Sequence, residues 1–118
     1  MQIETVTPYP KYPVLMYKDY DHVVKGIPMG WESSTLLIWI KELEKIDNVT
    51  VLDIGAYTGI YSLLAGKYGK QIDVIGFEPL EQISHRFGAN IQLNQFPNTV
   101  MNFQMGLSNE NSEVEINI

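Results

Sequence analysis

The sequence predicts an α/β fold built on a mostly parallel, doubly wound β-sheet. Short β-branched runs alternate with longer amphipathic segments between residues 49 and 105, in the order strand, helix, strand, helix, strand. A glycine-containing turn follows the first of these strands. The chain has 118 residues, of which 45% are hydrophobic and 19% charged, as in a globular domain. We therefore expect one domain with its own core.

Residues 1–30 are predicted to precede the main domain, residues 31–118, as an extended arm. Pro8, Pro10 and Pro13 alternate with Tyr9 and Tyr12, and proline this dense excludes helix. The segment is either an arm that lies on the domain or a docking motif for an aromatic groove, and the sequence favours the arm. A hairpin is predicted next, with strands over residues 14–17 and 22–24.

The elements of the main domain follow from caps and hydrophobic spacing. A helix is predicted from Ser33 or Ser34 to about Lys45, because serine caps helices and apolar residues recur there at helical spacing. The run Val49 to Ile54 predicts a strand that is buried on both faces. The remaining predicted elements are a helix from Gly59 to Tyr68 that Gly69 ends as a left-handed cap, a strand from Ile72 to Phe77, a helix from about Glu81 to Leu93, a strand from Thr99 to Met105, and a half-buried strand from Glu113 to Ile118.

Charge and composition exclude several classes of function. A net charge of −6 argues against nucleic-acid binding, which requires clustered Lys and Arg. There is no cysteine, and His22 and His85 are far apart in the chain, so we expect no metal site. No apolar run approaches the roughly 18 residues of a membrane span. The N-terminus lacks the pattern of a secretory signal, which predicts a cytoplasmic location.

Gly55 and Gly59 flank the turn between the first strand and the next helix. Ligands of parallel sheets bind beyond the carboxyl ends of the strands, and this turn is the favoured place. Gly55 allows the backbone to turn tightly and approach a ligand, and Gly59 allows the helix to start close to the strand. Amides at the helix N-terminus offer donors to a carboxylate or phosphate. The pattern predicts a nucleotide-like cofactor.

Two acidic residues narrow the class of cofactor. Asp53 lies two residues before Gly55, where a carboxylate repels a pyrophosphate and attracts an ammonium group. This charge favours S-adenosylmethionine over a dinucleotide. Glu78 ends the second strand, roughly 20 residues after Gly55, which is the offset of an acid that binds ribose hydroxyls.

Other nucleotide-binding turns fit less well. Tyr57 stands where the dinucleotide fingerprint has its middle glycine, and the chain lacks the GK[ST] ending of a P-loop. A plain strand-to-helix turn, with Asp53 as a capping or solvated acid, is the remaining alternative. The joint order and spacing of the glycines and acids favour the cofactor site.

Beyond these residues, four segments stand out: VLDIGAYTGIYSLLAGKYG, VIGFEP, NIQLN and GLSNENSEVEI. Together with the pair Trp31-Glu32 they resemble the FkbM family of class I methyltransferases. The resemblance implies a Rossmann-like domain that binds S-adenosylmethionine and methylates a hydroxyl of a small molecule or glycan. By the same resemblance, the residues that line the methionine end are Asp53, Gly55, Ala56, Tyr57 and Gly59, with Glu78 on the ribose and Pro79 beside it.

The chain also departs from the family pattern. The family usually has Asn where Tyr57 stands, so a polar contact to the cofactor is lost or replaced by the phenol. The segment after the third strand, residues 105–107, offers only backbone and apolar surface to an adenine. The fourth and later strands of the family are absent. We therefore expect an incomplete class I methyltransferase fold, from a truncated chain or one half of a split enzyme whose sheet a second chain completes.

No catalytic residue is identified from the sequence. His22, His85 and Glu32 lie in no motif that assigns them a role as base, which favours surface or structural roles for all three. The expected function is S-adenosylmethionine-dependent O-methylation, by a chain that is inactive alone if it is only the cofactor-binding half. The alternatives are a non-catalytic Rossmann-like interaction module and, with less support, a nicotinamide oxidoreductase.

Overall fold

Five strands, four α-helices and one 3-10 helix form the described part of the chain, residues 2–8 and 11–116 of a computed structural model. The residues outside these ranges include Tyr9 and Pro10 of the predicted arm and the last two residues of the predicted C-terminal strand. The elements in chain order are β1 (Ile3–Val6), β2 (Val14–Tyr17), α1 (His22–Gly26), the 3-10 helix (Ile27–Met29), α2 (Ser33–Lys45), β3 (Thr50–Ile54), α3 (Ile60–Tyr68), β4 (Asp73–Phe77), α4 (Glu81–Leu93) and β5 (Thr99–Phe103).

A parallel sheet in the order β3-β4-β5 forms the centre of the molecule, so the predicted α/β class is confirmed. Its registers place Val51, Val74 and Val100 side by side on one face. Helices α3 and α4 pack on that face, and α2 packs on α3. The alternation of β-branched runs with helical segments predicted these elements because each strand must return through a crossover helix.

The opposite face of the sheet is bare over the described residues, and here the expectation of a doubly wound sheet is wrong. Leu52 and Ile54 of β3 are 55% and 63% exposed, and Met101 and Phe103 of β5 are 42% and 41% exposed. β3 was predicted to be buried on both faces, but it alternates between exposed and half-buried positions. The apolar run predicted the strand correctly. It did not reveal that every helix packing on this sheet lies on one side.

The N-terminal hairpin differs from the predicted one. Val14–Tyr17 is a strand, but its partner is Ile3–Val6, in an antiparallel pair. The segment predicted as the second strand begins a helix instead, because the Asp21 carboxylate accepts hydrogen bonds from the amides of Val23 and Val24 at 2.8 and 3.2 Å. This N-cap outweighs the strand preference of two valines.

The first 30 residues share one core with the rest of the chain. Val14 and Met16 are buried in the same cluster as Leu63 of α3 and Val74 of β4. The hydroxyl of Tyr12 donates to Glu44 of α2 at 2.8 Å. The described part of the segment therefore packs on the rest of the chain.

Two helix ends and the C-terminal tail also differ from the prediction. α2 starts at Ser33, but the capping position belongs to Glu32, without a side-chain bond at the cap. Gly69 ends α3 in an extended conformation, because Asn98 donates to the carbonyls of Gly66 and Gly69 at 2.9 Å and replaces the left-handed cap. The predicted C-terminal strand is irregular and exposed over residues 113–116, where no neighbouring strand pairs with it. No helix in the described ranges is long and apolar enough to cross a membrane.

Candidate functional site

The turn from β3 to α3 contains three left-handed residues within five positions. Gly55, Tyr57 and Gly59 have φ angles of 74°, 56° and 101°. A Cβ on Gly55 would meet nothing within 4 Å, so the space beside its backbone is open to a ligand. Tyr57 is unusual because a bulky residue rarely adopts this conformation, and Asn, which the resembled family has here, adopts it more easily.

Gly59 serves a different contact from the one predicted. A Cβ at this position would lie 2.3 Å from Cδ1 of Phe87, a buried side chain of α4. The glycine therefore admits α4 rather than bringing α3 close to the strand. The sequence could not show this, because the partner lies 28 residues downstream on another helix.

The end of β4 holds the turn in place. The amides of Gly55 and Ala56 both donate to the carbonyl of Phe77 at 2.9 Å. The next amide, that of Tyr57, donates to Oε1 of Glu78 at 2.9 Å. Three consecutive amides of the turn are thus used within the protein, which fixes its shape. The donors that remain for a ligand are those in the first turn of α3.

Asp53 places a carboxylate beneath this turn. Its Oδ2 accepts a hydrogen bond from Oγ of Ser62 at 2.6 Å, and the Ser62 amide also bonds to the carboxylate. Burial raises the pKa of Asp53, the nearby Glu78 carboxylate adds to the rise, and the bonds from Ser62 oppose it. An acid kept from water and close to a second acid favours a cationic partner.

Glu78 lies between two turns and is only 6% exposed. Its Oε1 accepts from Tyr57, and its Oε2 accepts from the amide of Leu80 at 3.1 Å. The carboxylate therefore joins the turn after β3 to the turn after β4. The sequence suggested a ribose ligand at this position but gave no sign of this structural role.

A cavity of about 340 Å³ opens at the carboxyl end of β3. This volume lies within the range of small-molecule sites. Of the seven residues predicted to bind the cofactor, Glu78 and Pro79 do not line it. The five that the structure brings together in its wall are Asp53, Gly55, Ala56, Tyr57 and Gly59.

The cavity is also lined by His22 and Glu32, for which the sequence favoured surface or structural roles, and by Trp31. His22 begins α1, and Trp31 and Glu32 directly precede α2. Nδ1 of His22 lies 3.2 Å from the hydroxyl of Tyr57, and the two rings are 5.1 Å apart. Of these three residues, only Trp31 and Glu32 had a sequence signal, as the pair that resembles the family.

A carboxylate and a phenol form a second hydrogen-bonded pair in the wall of the cavity. The hydroxyl of Tyr61 donates to Oε1 of Glu32 at 3.1 Å. Burial raises the pKa of Tyr61 strongly, and the bond to Glu32 adds to the rise. This phenol therefore stays protonated, and it occupies one oxygen of the Glu32 carboxylate.

A cleft of about 390 Å³ lies elsewhere, between the hairpin and α1. Exposed and half-buried residues such as Glu4, Lys18 and Lys25 line it. Tyr20 of this cleft also has a left-handed backbone, with a φ angle of 59°. The pKa of its Asp19, however, is lowered by a backbone hydrogen bond from Gln2, whereas burial raises the pKa of Asp53. The smaller cavity at the end of β3 is therefore the better candidate for a site.

Comparison with protein-family models and with curated proteins finds no match to this chain. Within the described ranges, no group of three or more His, Asp or Glu side chains is placed to hold a metal ion. The chemistry available in the cavity is that of two carboxylates, one imidazole, two phenols and the amides at the start of α3.

Proposed function

We propose that the chain is an S-adenosylmethionine-binding domain of the class I methyltransferase type, whose methyl acceptor is a hydroxyl of a small molecule or glycan. The observation that carries the proposal is Asp53, a carboxylate shielded from water that lines the cavity beside the glycine-containing turn. A shielded anion attracts a cation, and the amino group of S-adenosylmethionine is cationic. The position also agrees with the family that the sequence resembles.

The cavity offers a partner for the carboxylate of the methionine moiety as well. Ile60 and Tyr61 line the cavity at the first turn of α3, where backbone amides have no partner inside the helix. A helix N-terminus is a general binding site for anions. The zwitterionic end of the cofactor therefore fits between Asp53 and the start of α3.

The ribose end relies on Glu78 in a second role. Both of its oxygens already accept amide hydrogen bonds, but each retains a lone pair that a ribose hydroxyl can use. Pro79 follows it in the same turn. Because Glu78 also closes two turns, its substitution would disturb folding together with binding.

When bound, S-adenosylmethionine supplies a methyl group activated by its sulfonium. The residues of the chain contribute by fixing the position of that methyl group relative to the acceptor, which is a large part of catalysis in such transfers. The hydrogen bonds that the turn donates to Phe77 and Glu78 help to fix this position, because they leave the turn little freedom to move.

Calorimetry with S-adenosylhomocysteine tests the proposal most directly. We expect measurable binding and a loss of about 1.5 to 3 kcal/mol in Asp53→Asn, the scale of a hydrogen bond to a charged group. Asp73→Asn is the matched control, since Asp73 is exposed at the opposite end of the sheet. Equal affinities of the wild-type and Asp53→Asn proteins would contradict the proposed site.

A non-catalytic interaction module is the second candidate. It is favoured by the internal use of Glu78 and by the bare apolar face of the sheet. A folded protein that shows no heat with millimolar S-adenosylhomocysteine would support it.

NADH serves as a further control in the calorimetry. We expect no binding of NADH, because the side chain of Tyr57 stands where a pyrophosphate approaches.

A further inference from the structure

His22 and Tyr57 form a pair in the wall of the cavity that Asp53 lines. Nδ1 of His22 lies 3.2 Å from the Tyr57 hydroxyl. Across the ranges that the structure describes, Nε2 of the same ring has no hydrogen-bond partner, and the side chain is exposed. One ring nitrogen is therefore fixed by the protein and the other is available to a ligand.

The pair lies between the two ends of the proposed cofactor site. Asp53 and the start of α3 mark the methionine end, and Glu78, bonded to the Tyr57 amide, marks the ribose end. In S-adenosylmethionine the sulfonium joins these two ends. The side chain of Tyr57, which lies between these residues, and the imidazole that it contacts would therefore lie beside the methyl group of a bound cofactor.

We propose that His22 is the general base for a hydroxyl acceptor and that Tyr57 is a positioning residue that fixes its orientation. This inference rests on the proposed function. The acceptor oxygen forms a bond to the methyl carbon, the carbon–sulfur bond breaks, and its electron pair passes to sulfur. The acceptor proton moves to Nε2 of His22. The products are a methyl ether, S-adenosylhomocysteine and an imidazolium that returns its proton to solvent.

The proposed role of His22 requires the tautomer in which Nδ1 carries the proton. Burial raises the pKa of Tyr57, and the charges of Asp21 and Glu78 add to the rise, so the phenol is neutral. In that tautomer the phenol oxygen accepts a hydrogen bond from Nδ1, and the lone pair on Nε2 is free to take a proton. Tyr57 stands where the resembled family has Asn, so this pair is a feature of the present chain.

Glu32 is the competing base in the same cavity. Its Oε1 already accepts from Tyr61 at 3.1 Å, and a carboxylate is a weaker base than an imidazole. His22 is therefore favoured. Glu32→Gln removes the competing charge and keeps a similar shape, which makes it a test of this choice.

Sinefungin is a suitable probe, because an amine-bearing carbon replaces the methyl-bearing sulfur. Its amine lies where the methyl group is delivered and reports a hydrogen-bond acceptor at that point. We expect sinefungin to bind at least about tenfold more tightly than S-adenosylhomocysteine in calorimetry near pH 8. His22→Phe should abolish this ratio, and Tyr57→Phe should reduce it partly.

His85→Phe is the matched control, since His85 is exposed on α4 and does not line the cavity. A ratio that survives His22→Phe, or that Glu32→Gln abolishes, would overturn the assignment to His22 while leaving the proposed function intact. If S-adenosylhomocysteine itself does not bind, the proposed function fails, and the assignment of His22 fails with it.

Discussion

Phe87 fills the gap that two glycines leave behind the candidate site. A Cβ on Gly76 of β4 would lie 2.3 Å from Cε2 of its ring, and a Cβ on Gly59 would lie 2.3 Å from Cδ1. The ring is completely buried. The turn that shapes the cavity and the centre of the sheet therefore share one packing contact with α4.

Gly76→Ala should destabilise the fold by about 1 to 3 kcal/mol, because the added methyl group overlaps a ring with no room to move. In combination with Phe87→Leu the two costs should not add, since the smaller side chain leaves space for the methyl group. Urea unfolding of both single variants and the double variant measures this. Gly106→Ala is the control, because its Cβ would meet only ordinary contact at 3.9 Å; additive costs would show that the two positions do not share this gap.

Asp53 gives the stability of the protein a specific pH dependence. Burial raises its pKa above the ordinary value of 3.8, so the folded state binds the proton more tightly than the unfolded state. Its contribution is therefore most favourable below that value and is lost as the pH rises through the raised pKa. Asp53→Asn should be more stable than the wild type at pH 7, and the difference should shrink toward pH 4. Urea titrations at both pH values measure the free energies of unfolding, with Asp73→Asn as control. A less stable Asp53→Asn at pH 7 would contradict the prediction.

Five of the seven predicted site residues share a cavity because they are close in the chain. A turn of five residues places its own side chains without help from distant packing. His22 and Glu32 reach the same cavity only because α1 and the start of α2 fold back over the turn. No local pattern encodes that contact, so the sequence favoured surface or structural roles for both residues.

Asn90 of α4 and Asn94, which caps the end of this helix, attach the N-terminal hairpin to the domain. Asn90 accepts from the amide of Tyr17 at 2.8 Å and donates to the carbonyl of Thr58 at 2.9 Å. Asn94 exchanges two hydrogen bonds of 2.9 Å with the backbone of Leu15. Side chains of the helix thus pair with β2 in place of a further strand, and Asn90 connects the hairpin to the turn of the candidate site.

Asn90→Ala should cost about 2 kcal/mol or more, because it leaves a buried amide and a buried carbonyl without partners. Gln92→Ala, an exposed change on the same helix, should be neutral. Thermal unfolding gives the stability, and hydrogen exchange at the Tyr17 amide reports the local contact. Unchanged exchange at Tyr17 in the Asn90→Ala protein would show that the asparagine does not hold the hairpin.

The helices and strands from residue 33 to residue 103 were predictable because each follows local rules. The apolar spacing of the helices and the β-branched runs of the strands act within a few residues of each other. The hairpin was not predictable in the same way. Its first strand, Ile3–Val6, has no such apolar run, and asparagine side chains, which show no periodicity, complete the pairing of the second.

At the scale of the whole molecule, the sheet has one covered face and one face that is bare over the described residues. Parallel sheets occur almost only with both faces covered. The bare face carries Leu52, Ile54, Met101 and Phe103, and the ring of Phe77 stacks on that of Phe103 with centroids 6.0 Å apart. An apolar surface of this kind marks an interaction site. The expectation that a second chain completes the sheet remains a proposal, which this face supports.

The bare face should make the purified chain associate as its concentration rises. Replacing Ile54 and Phe103 with Thr should shift the chain toward the monomer, because it removes two large apolar side chains from the surface that association would bury. Ile38→Thr is the matched control, since Ile38 is 66% exposed on α2, away from this face. Size-exclusion chromatography with light scattering over a hundredfold range of concentration measures the mass. A wild-type chain that stays monomeric throughout and melts cooperatively would show that the sheet needs no cover, and association that Ile38→Thr reduces equally would place the contact elsewhere.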